Sequence, residues 1–230
     1  MSTDARDRIL ARIREALRHP APPRHLQQHN HPPLAPPPTS EDRIHWLPQV
    51  PAEWDAKKEL FAKNSASLKT EWLPCSSPQE LATTLRELTS TSIRIAAHQL
   101  AFGQEALDLL QLPKLLTDSP FNAQDLEQCD VGISNCECLV AQTGSILISS
   151  TSSGGRSLSV LPPHHILIAH KSQLVSDLIE AISFLRNRYG ENLPAYLSFI
   201  TGPSRTGDIE RILVLGAHGP KKLSILFADY

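Results

Sequence analysis

The residues best suited to chemistry lie in one short polar loop near the carboxyl end of the chain, residues 201–210. The loop follows the apolar stretch AYLSFI and combines two glycines, three hydroxyl side chains, an arginine and two carboxylates. Such a loop can bind a phosphate or a carboxylate through backbone N–H groups, hydroxyls and a guanidinium. The ligand-binding candidates in it are Gly202, Ser204, Arg205 and Thr206. Asp208 and Glu210 are the catalytic candidates, because a carboxylate can move a proton or hold a ligand hydroxyl. A turn-capping role for Asp208 is the alternative.

Two further polar turns flank the apolar stretch SILI. Residues 141–145 precede it, and residues 152–156 follow it. In both turns small residues can expose backbone N–H groups, and the second adds the guanidinium of Arg156, so together they could cradle an anion. Thr143, Gly144 and Arg156 are therefore predicted to bind ligand. The alternative for the second turn is a Gly-Gly bend with an exposed arginine.

Histidines and cysteines offer fewer candidates. His218, in the turn GAHGP, is predicted to bind ligand, although a turn histidine that bonds only to the backbone is the alternative. His164 and His165 begin a strand, where adjacent side chains point to opposite faces, so we interpret both as structural. The four cysteines lack the spacing of an iron–sulfur site. The sequence predicts no metal site and identifies no cofactor.

Composition argues against several classes of partner. The chain has 230 residues, with 22 Lys+Arg against 24 Asp+Glu and a formal charge of −2, which does not favour nucleic-acid binding. No apolar run approaches the roughly 20 residues that span a bilayer, so no membrane insertion is expected. The opening residues mix Asp and Arg where a signal peptide needs an apolar segment. We expect a cytoplasmic location.

The chain divides into three segments. Residues 1–18 have apolar positions at helical spacing and predict an amphipathic helix that docks on a partner. Residues 19–45 contain eight prolines and five histidines, which favours an extended tether. Residues 46–230 contain strand-length apolar runs that alternate with helical stretches.

That alternation predicts the architecture of the third segment. Strands alternating with helices imply an α/β fold with a largely parallel sheet, here a three-layer α/β/α Rossmann-like arrangement. The last two strands are separated only by GAHGPKK, so a hairpin or mixed edge is expected there. A short helix is predicted over residues 135–140. Ligands of such folds collect beyond the carboxyl ends of the strands.

Three stretches carry a family resemblance: AQTGSILI, RSLSVLPPHHILIA and ITGPSRTGDIERILVLGAHGPKKLSILFAD. In this order and spacing they resemble the lactate-utilisation protein C family, also described as LUD-domain proteins. The resemblance implies a Rossmann-like fold similar to NagB, ribose-5-phosphate isomerase and CoA transferases. It also implies a place in a three-protein system that oxidises L-lactate to pyruvate, in which a partner subunit carries iron–sulfur ligands.

One position departs from the family pattern. The family turn usually has Glu where this chain has Gln142, and a carboxamide cannot form the acyl anhydride of a CoA transferase. We interpret the turn as binding rather than catalytic, and the sequence leaves open whether the chain is an enzyme. The leading hypothesis is a subunit of the lactate system that binds a small anionic ligand. The alternative is a free-standing enzyme resembling a CoA transferase or a phosphosugar isomerase.

Overall fold

The structure, a computed structural model, describes residues 3–18, 48–209, 212–215 and 219–230. The chain separates between Leu47 and Pro48 into two compact units. In the first unit, helix α1 runs over Thr3–Arg18, as the apolar spacing predicts, and leaves Ile9 and Ile13 about half exposed. The predicted tether over 19–45 lies outside the described residues.

The second unit alternates strands and helices. Its helices are α2 Trp54–Ser67, α3 Pro78–Leu88, α4 Gln104–Asp108, α5 Ala123–Glu127 and α6 Leu178–Tyr189. Its strands are β1 Glu71–Cys75, β2 Ile95–Ala97, β3 Lys114–Leu116, β4 Val131–Asn135, β5 Cys138–Val140, β6 Ser145–Ser149, β7 His164–His170, β8 Leu174–Val175, β9 Leu197–Ile200, β10 Arg205–Ile209, β11 Ile212–Leu215 and β12 Lys222–Ala228.

Helix starts follow local sequence signals. The Ser77 hydroxyl accepts the Glu80 N–H at 3.2 Å, and Pro78 occupies the first helical position of α3. The Glu80 carboxylate in turn accepts the N–H of Ser76 at 2.7 Å, so the first turn of α3 is capped from both directions. Helix α6 begins in the same way, with Asp177 accepting the Glu180 N–H at 2.8 Å.

Six strands form a parallel sheet in the order β1-β12-β7-β4-β2-β3. The long central strands β7 and β12 are almost entirely buried, as expected for a sheet covered on both faces. On β7, Ile166 and Ile168 pack with helices α3 and α4, while Leu167 and Ala169 face the opposite side. The alternation of side chains along one strand thus divides the core into two layers.

A smaller sheet covers that opposite face. Its order is β8-β5-β6-β9, with antiparallel pairs on both sides of β6 and a parallel pair between β5 and β8. Phe61 of α2 packs between the two sheets. Helix α6 covers the outer face of the smaller sheet through Ala181 and Leu185.

The predicted α/β class and the mostly parallel sheet are confirmed. Three details were wrong. One face of the main sheet is covered largely by a second sheet instead of a layer of helices alone. Within the described residues the main sheet has no mixed edge, since parallel and antiparallel pairs occur together in the smaller sheet. In the described chain, strand β11 pairs with β10 and forms no hairpin with β12, because β12 is paired in parallel with β1 and β7. Residues 135–140 are not a helix: Asn135 ends β4 and Cys138–Val140 form β5, whose backbone pairs with β6.

Candidate functional site

A cavity of about 360 Å³ opens at the carboxyl ends of the parallel strands. It lies where β4 and β7 end, at the edge of the sheet that collects ligands in α/β folds. Its lining residues are Gln99, Ala101, Phe102, Asn135, Cys136, Thr151, Ser152, His170, Ser172, Gln173, Phe184 and Arg188. We refer to it as the carboxyl-end cavity.

Asn135 at the end of β4 holds the wall of this cavity in place. Its amide oxygen accepts the N–H groups of Ala101 and Phe102, at 2.8 and 3.3 Å. Its NH₂ group donates to the carbonyls of Phe102 and Ile168, at 3.1 and 2.8 Å. These bonds occupy both N–H donors and the amide oxygen of Asn135. The side chain therefore fixes the loop after β2 and has no free N–H donor for a ligand.

The turn after β7 is fixed in a similar way. His170 Nδ1 accepts the N–H of Ser172 at 3.2 Å, so the ring donates from Nε2 to the Tyr230 carbonyl, 3.2 Å away. Gln173 accepts the His170 N–H at 2.7 Å and donates to the carbonyl of Cys136 at 2.6 Å. Both side chains shape the cavity by holding backbone.

Glu137 and Arg188 form the charged part of this region. Glu137 is completely buried, and its Oε1 accepts hydrogen bonds from the Ser149 hydroxyl and, at 2.9 Å, from Tyr189. Its Oε2 has no hydrogen bond within the described chain but lies 3.1 Å from Nη1 of Arg188, which lines the cavity. A buried carboxylate needs such a cation, so Glu137 holds the guanidinium at the cavity wall.

Burial and Glu137 also act on neighbouring acids. Burial raises the pKa of the Tyr189 hydroxyl, and the hydrogen bond to Glu137 raises it further. Burial, followed by the charge of Glu137, raises the pKa of the Cys138 thiol to about 12. Burial also raises the pKa of the Cys136 thiol well above its usual value. These thiols and the phenol are therefore protonated at neutral pH.

A second cavity, of about 250 Å³, lies at the opposite edge of the main sheet, beside the first residues of β7 and β12. We refer to it as the amino-end cavity. Gly202 and Ser204, both predicted from sequence to bind ligand, line it together with His165 and Tyr196. The loop after β9 thus takes part in a cavity, although at the amino ends of the parallel strands.

Two predicted arginines lie beside residues that line the amino-end cavity. The Arg156 guanidinium carbon is 5.3 Å from the centre of the Tyr196 ring. Nη2 of Arg205 is 3.4 Å from the position that a Cβ would take on Gly202. Both arginine side chains are exposed, so the structure brings them to the same region without enclosing them.

Thr143 and Gly144 line neither cavity. Their turn packs against α2, where Asn64 donates from its amide to the carbonyls of Ala141 and Gln142, at 2.8 and 3.0 Å. Gly144 has a φ of 67°, and a Cβ there would lie 2.5 Å from the backbone nitrogen of Ser65. The turn is close to the loop after β9 through a 2.9 Å contact between the hydroxyls of Ser145 and Thr201.

The remaining predicted residues lie in a part that the structure describes little or not at all. Thr206 and Asp208 belong to the backbone of β10, and nothing is described of their side chains. Glu210 and His218 lie outside the described residues. The roles of all four stay predictions.

Sequence reasoning missed the carboxyl-end cavity and its charged pair. The relevant signals were present: polar residues stand at the carboxyl ends of two buried strands, in NCEC at the end of β4 and in HKSQ at the end of β7, where ligand sites of parallel sheets lie. Interpretation of residues 135–140 as a helix concealed Glu137. Arg188 is more than 50 residues from Glu137 in sequence, so no local pattern joined them.

Metal and membrane features can be stated for the described residues alone. Within them no group of three or more His, Cys, Asp or Glu side chains is arranged to hold a metal ion. The four cysteines are buried and reduced, and each belongs to a different core cluster. No described helix has the length and apolar character needed to cross a membrane.

Comparison with known proteins adds sequence relatives. The profile of the LUD domain matches residues 58–228. "Lactate utilization protein C" of Shouchella clausii is 39% identical over 113 residues, which cover 49% of each chain. The protein of the same name from Halalkalibacterium halodurans is 41% identical over 96 residues, covering 41% of this chain and 42% of the relative. The chain matches about half the length of these curated relatives.

A solved structure shares the fold. The crystal structure of a DUF162 family protein from Deinococcus radiodurans superposes with a TM-score of 0.63 and covers 77% of this chain and 99% of its own. The two sequences are 20% identical, so this likeness concerns the architecture.

Proposed function

Because the chain belongs to the LUD domain family, we propose that it serves in L-lactate utilisation and binds a small carboxylate in the carboxyl-end cavity. The lactate role is supported by relatives named "Lactate utilization protein C" that are 34–41% identical to the chain. The observation that carries the ligand proposal is the Arg188 guanidinium, fixed at the cavity wall by the buried carboxylate of Glu137.

Arg188 suits a carboxylate ligand for a geometric reason. A guanidinium has five N–H donors in a planar fork, and the contact with Glu137 uses one side of it. The remaining donors can form the paired bonds that make arginine the usual partner of carboxylates. Since the Arg188 side chain is 45% exposed, a ligand can reach it from the cavity. Glu137 offsets part of its charge, so the binding is expected to be moderate.

The rest of the cavity suits a small organic acid. Phe102 and Phe184 supply apolar wall, while Gln99 and Thr151 supply an amide and a hydroxyl without described side-chain partners. A 2-hydroxy or 2-oxo acid has one carboxylate, one further oxygen and a short apolar body. The proposed ligands are therefore L-lactate and pyruvate, with the chain acting in the cytoplasm.

The proposed partners are the other subunits of the lactate system, including one that carries an iron–sulfur cluster. The docking element is α1, whose Ile9 and Ile13 are exposed on one side of a helix rich in arginine. An exposed apolar stripe on an amphipathic helix is a common recognition surface. Asp208 and Glu210 stay sequence-based candidates for proton transfer, but they belong to the segment after β9, none of whose described residues lines the carboxyl-end cavity.

Calorimetric titration of the full chain with L-lactate and with pyruvate tests the ligand proposal. We expect both to bind, and we expect Arg188→Gln to weaken binding roughly tenfold or more, because it removes a charge-assisted pair of hydrogen bonds. Arg186→Gln is the matched control, since Arg186 lies on the same helix and does not line the cavity. Equal affinities for native chain and Arg188→Gln would contradict the proposal.

A further inference from the structure

His165, the second residue of β7, has an unusual environment. It is 0% exposed, and its ring lines the amino-end cavity. With the Ser134 hydroxyl assigned as donor to the Asn135 carbonyl at 3.1 Å, it accepts from His165 Nε2, which is 2.9 Å away. Nδ1 therefore carries a lone pair, and it has no hydrogen-bond partner within the described chain.

An unpartnered acceptor at this depth has a cost. Buried polar groups in folded proteins almost always have a hydrogen-bond partner. A buried acceptor without one loses its hydrogen bonds to water and gains none from the protein. Burial, with a smaller contribution from His164, lowers the pKa of His165 to about 3, so the ring is neutral at pH 7 and cannot meet this need by protonation. A donor group that enters from the cavity would complement this acceptor.

The other polar groups of the cavity are hydroxyls. Ser198, Ser204 and Tyr196 line it, and none of their hydroxyls has a described partner. Ser198 faces the main sheet because it shares the inward side of β9 with Ile200. A hydroxyl group can both donate to His165 and accept from these serines.

Positive charge beside the amino-end cavity favours an anion. The guanidinium of Arg156 lies over Tyr196, and that of Arg205 lies beside Gly202. Neither has a carboxylate partner among the described residues, and none of the described residues that line the cavity is Asp or Glu. Two guanidiniums beside residues that line the cavity match the charge and the several acceptor oxygens of a phosphate group.

We propose that the amino-end cavity is a second binding site, which takes a small phosphorylated alcohol with its hydroxyl on His165 Nδ1 and its phosphate at Arg156 and Arg205. The site is separate from the carboxylate site, because the two cavities lie at opposite edges of the main sheet and share no lining residue. The chain would then respond to two chemically different metabolites.

Titration of the full chain with sn-glycerol 3-phosphate tests the site, with inorganic phosphate and glycerol as separate arms. We expect glycerol 3-phosphate to bind roughly tenfold or more tightly than inorganic phosphate or glycerol, because only the ester combines a phosphate with alcohol hydroxyls. Arg205→Gln and Ser204→Ala should each weaken its binding severalfold. Arg86→Gln on α3 should leave it unchanged, since Arg86 does not line this cavity.

A spectroscopic readout avoids any substitution in the core. The ¹⁵N resonance of His165 Nδ1 in the native chain should move in the direction of a hydrogen-bonded acceptor on addition of glycerol 3-phosphate. Absence of binding, equal binding of inorganic phosphate, or binding without movement of this resonance would overturn the proposal. Equal binding of phosphate would mark an anion site without a hydroxyl subsite.

Discussion

His165 links the chemistry of one residue to the stability of the whole domain. Its pKa of about 3, lowered chiefly by burial, lies well below the ordinary value of 6.5. As pH falls below about 6.5 the unfolded chain takes up a proton at this residue, while the folded chain does so only near pH 3. The contribution of the neutral ring is therefore complete above about pH 6.5 and is lost progressively as pH falls.

The substitution His165→Gln tests this titration. Between about pH 4 and pH 6, the free energy of unfolding of the native chain should fall more steeply with decreasing pH than that of the variant. The difference approaches about 1.4 kcal/mol per pH unit, which corresponds to one proton. Urea unfolding at several pH values measures both curves. Parallel curves would show that His165 does not titrate between the two states.

Glu137 shows at the same scale how one residue can organise several others. Its carboxylate accepts hydrogen bonds from the Ser149 and Tyr189 hydroxyls and faces the Arg188 guanidinium, so strand β6 and helix α6 meet at one side chain. Removal of one partner of a buried charge costs more than the pair contributes, because the other charge is left uncompensated. The position of Arg188 thus depends on a residue that does not line the cavity.

At the scale of elements, two glycine turns set the distance between α2 and the smaller sheet. Gly144 and Gly202 both have positive φ. Gly144 lies against the backbone of the last turn of α2, and Gly202 lies against the residue that follows the helix. A Cβ on Gly202 would lie 2.5 Å from the carbonyl oxygen of Leu68. Glycine is therefore needed at these two positions because backbone segments pack closely there, as well as because the turns have positive φ.

Gly144→Ala and Gly155→Ala separate these two effects. Both glycines have positive φ, but a Cβ on Gly155 meets nothing within 4 Å, whereas one on Gly144 overlaps Ser65. We expect Gly155→Ala to cost about 1–2 kcal/mol from backbone strain. Gly144→Ala should cost about 1–3 kcal/mol more, because the helix must move. Thermal or urea unfolding measures both, and equal losses would exclude the packing explanation.

At the scale of the whole molecule, the body and the leading helix are separate units. The division lies between Leu47 and Pro48, and the body contains the described sheets and the two cavities discussed above. A fragment of residues 48–230 should therefore unfold at nearly the same temperature as the full chain. Circular dichroism of the two chains checks this. A fragment without a cooperative transition would show that the body depends on residues 1–47.

The same fragment tests the proposed docking role of α1. Affinity purification from cells that contain the lactate system should recover the iron–sulfur subunit with the full chain and lose it with residues 48–230. Substitution of Ile9 and Ile13 by Ser in the full chain is the milder version, because it removes the apolar stripe and keeps the helix length. Unchanged recovery would contradict docking through α1.

The sequence by itself determined the local features of this protein. Apolar runs of strand length, helical spacing and capping residues such as Ser77 and Asp177 depend on neighbours within a few positions, so they can be recognised without a structure. These features were sufficient for the α/β class, the mostly parallel sheet and most element positions. The hydroxyl and glycine loop after β9 was also identified as a place where a ligand can bind, and Gly202 and Ser204 do line a cavity.

Only the tertiary structure decided which polar groups meet. The second sheet draws residues 138–140 out of a predicted helix, because β5 gains partners on both sides from distant parts of the chain. That pairing buries Glu137 beside Arg188 and separates the predicted residues, with Thr143 packed on α2 and Arg156 at Tyr196. Pairing of strands and burial of charges depend on contacts between residues far apart in sequence, and no local pattern contains them.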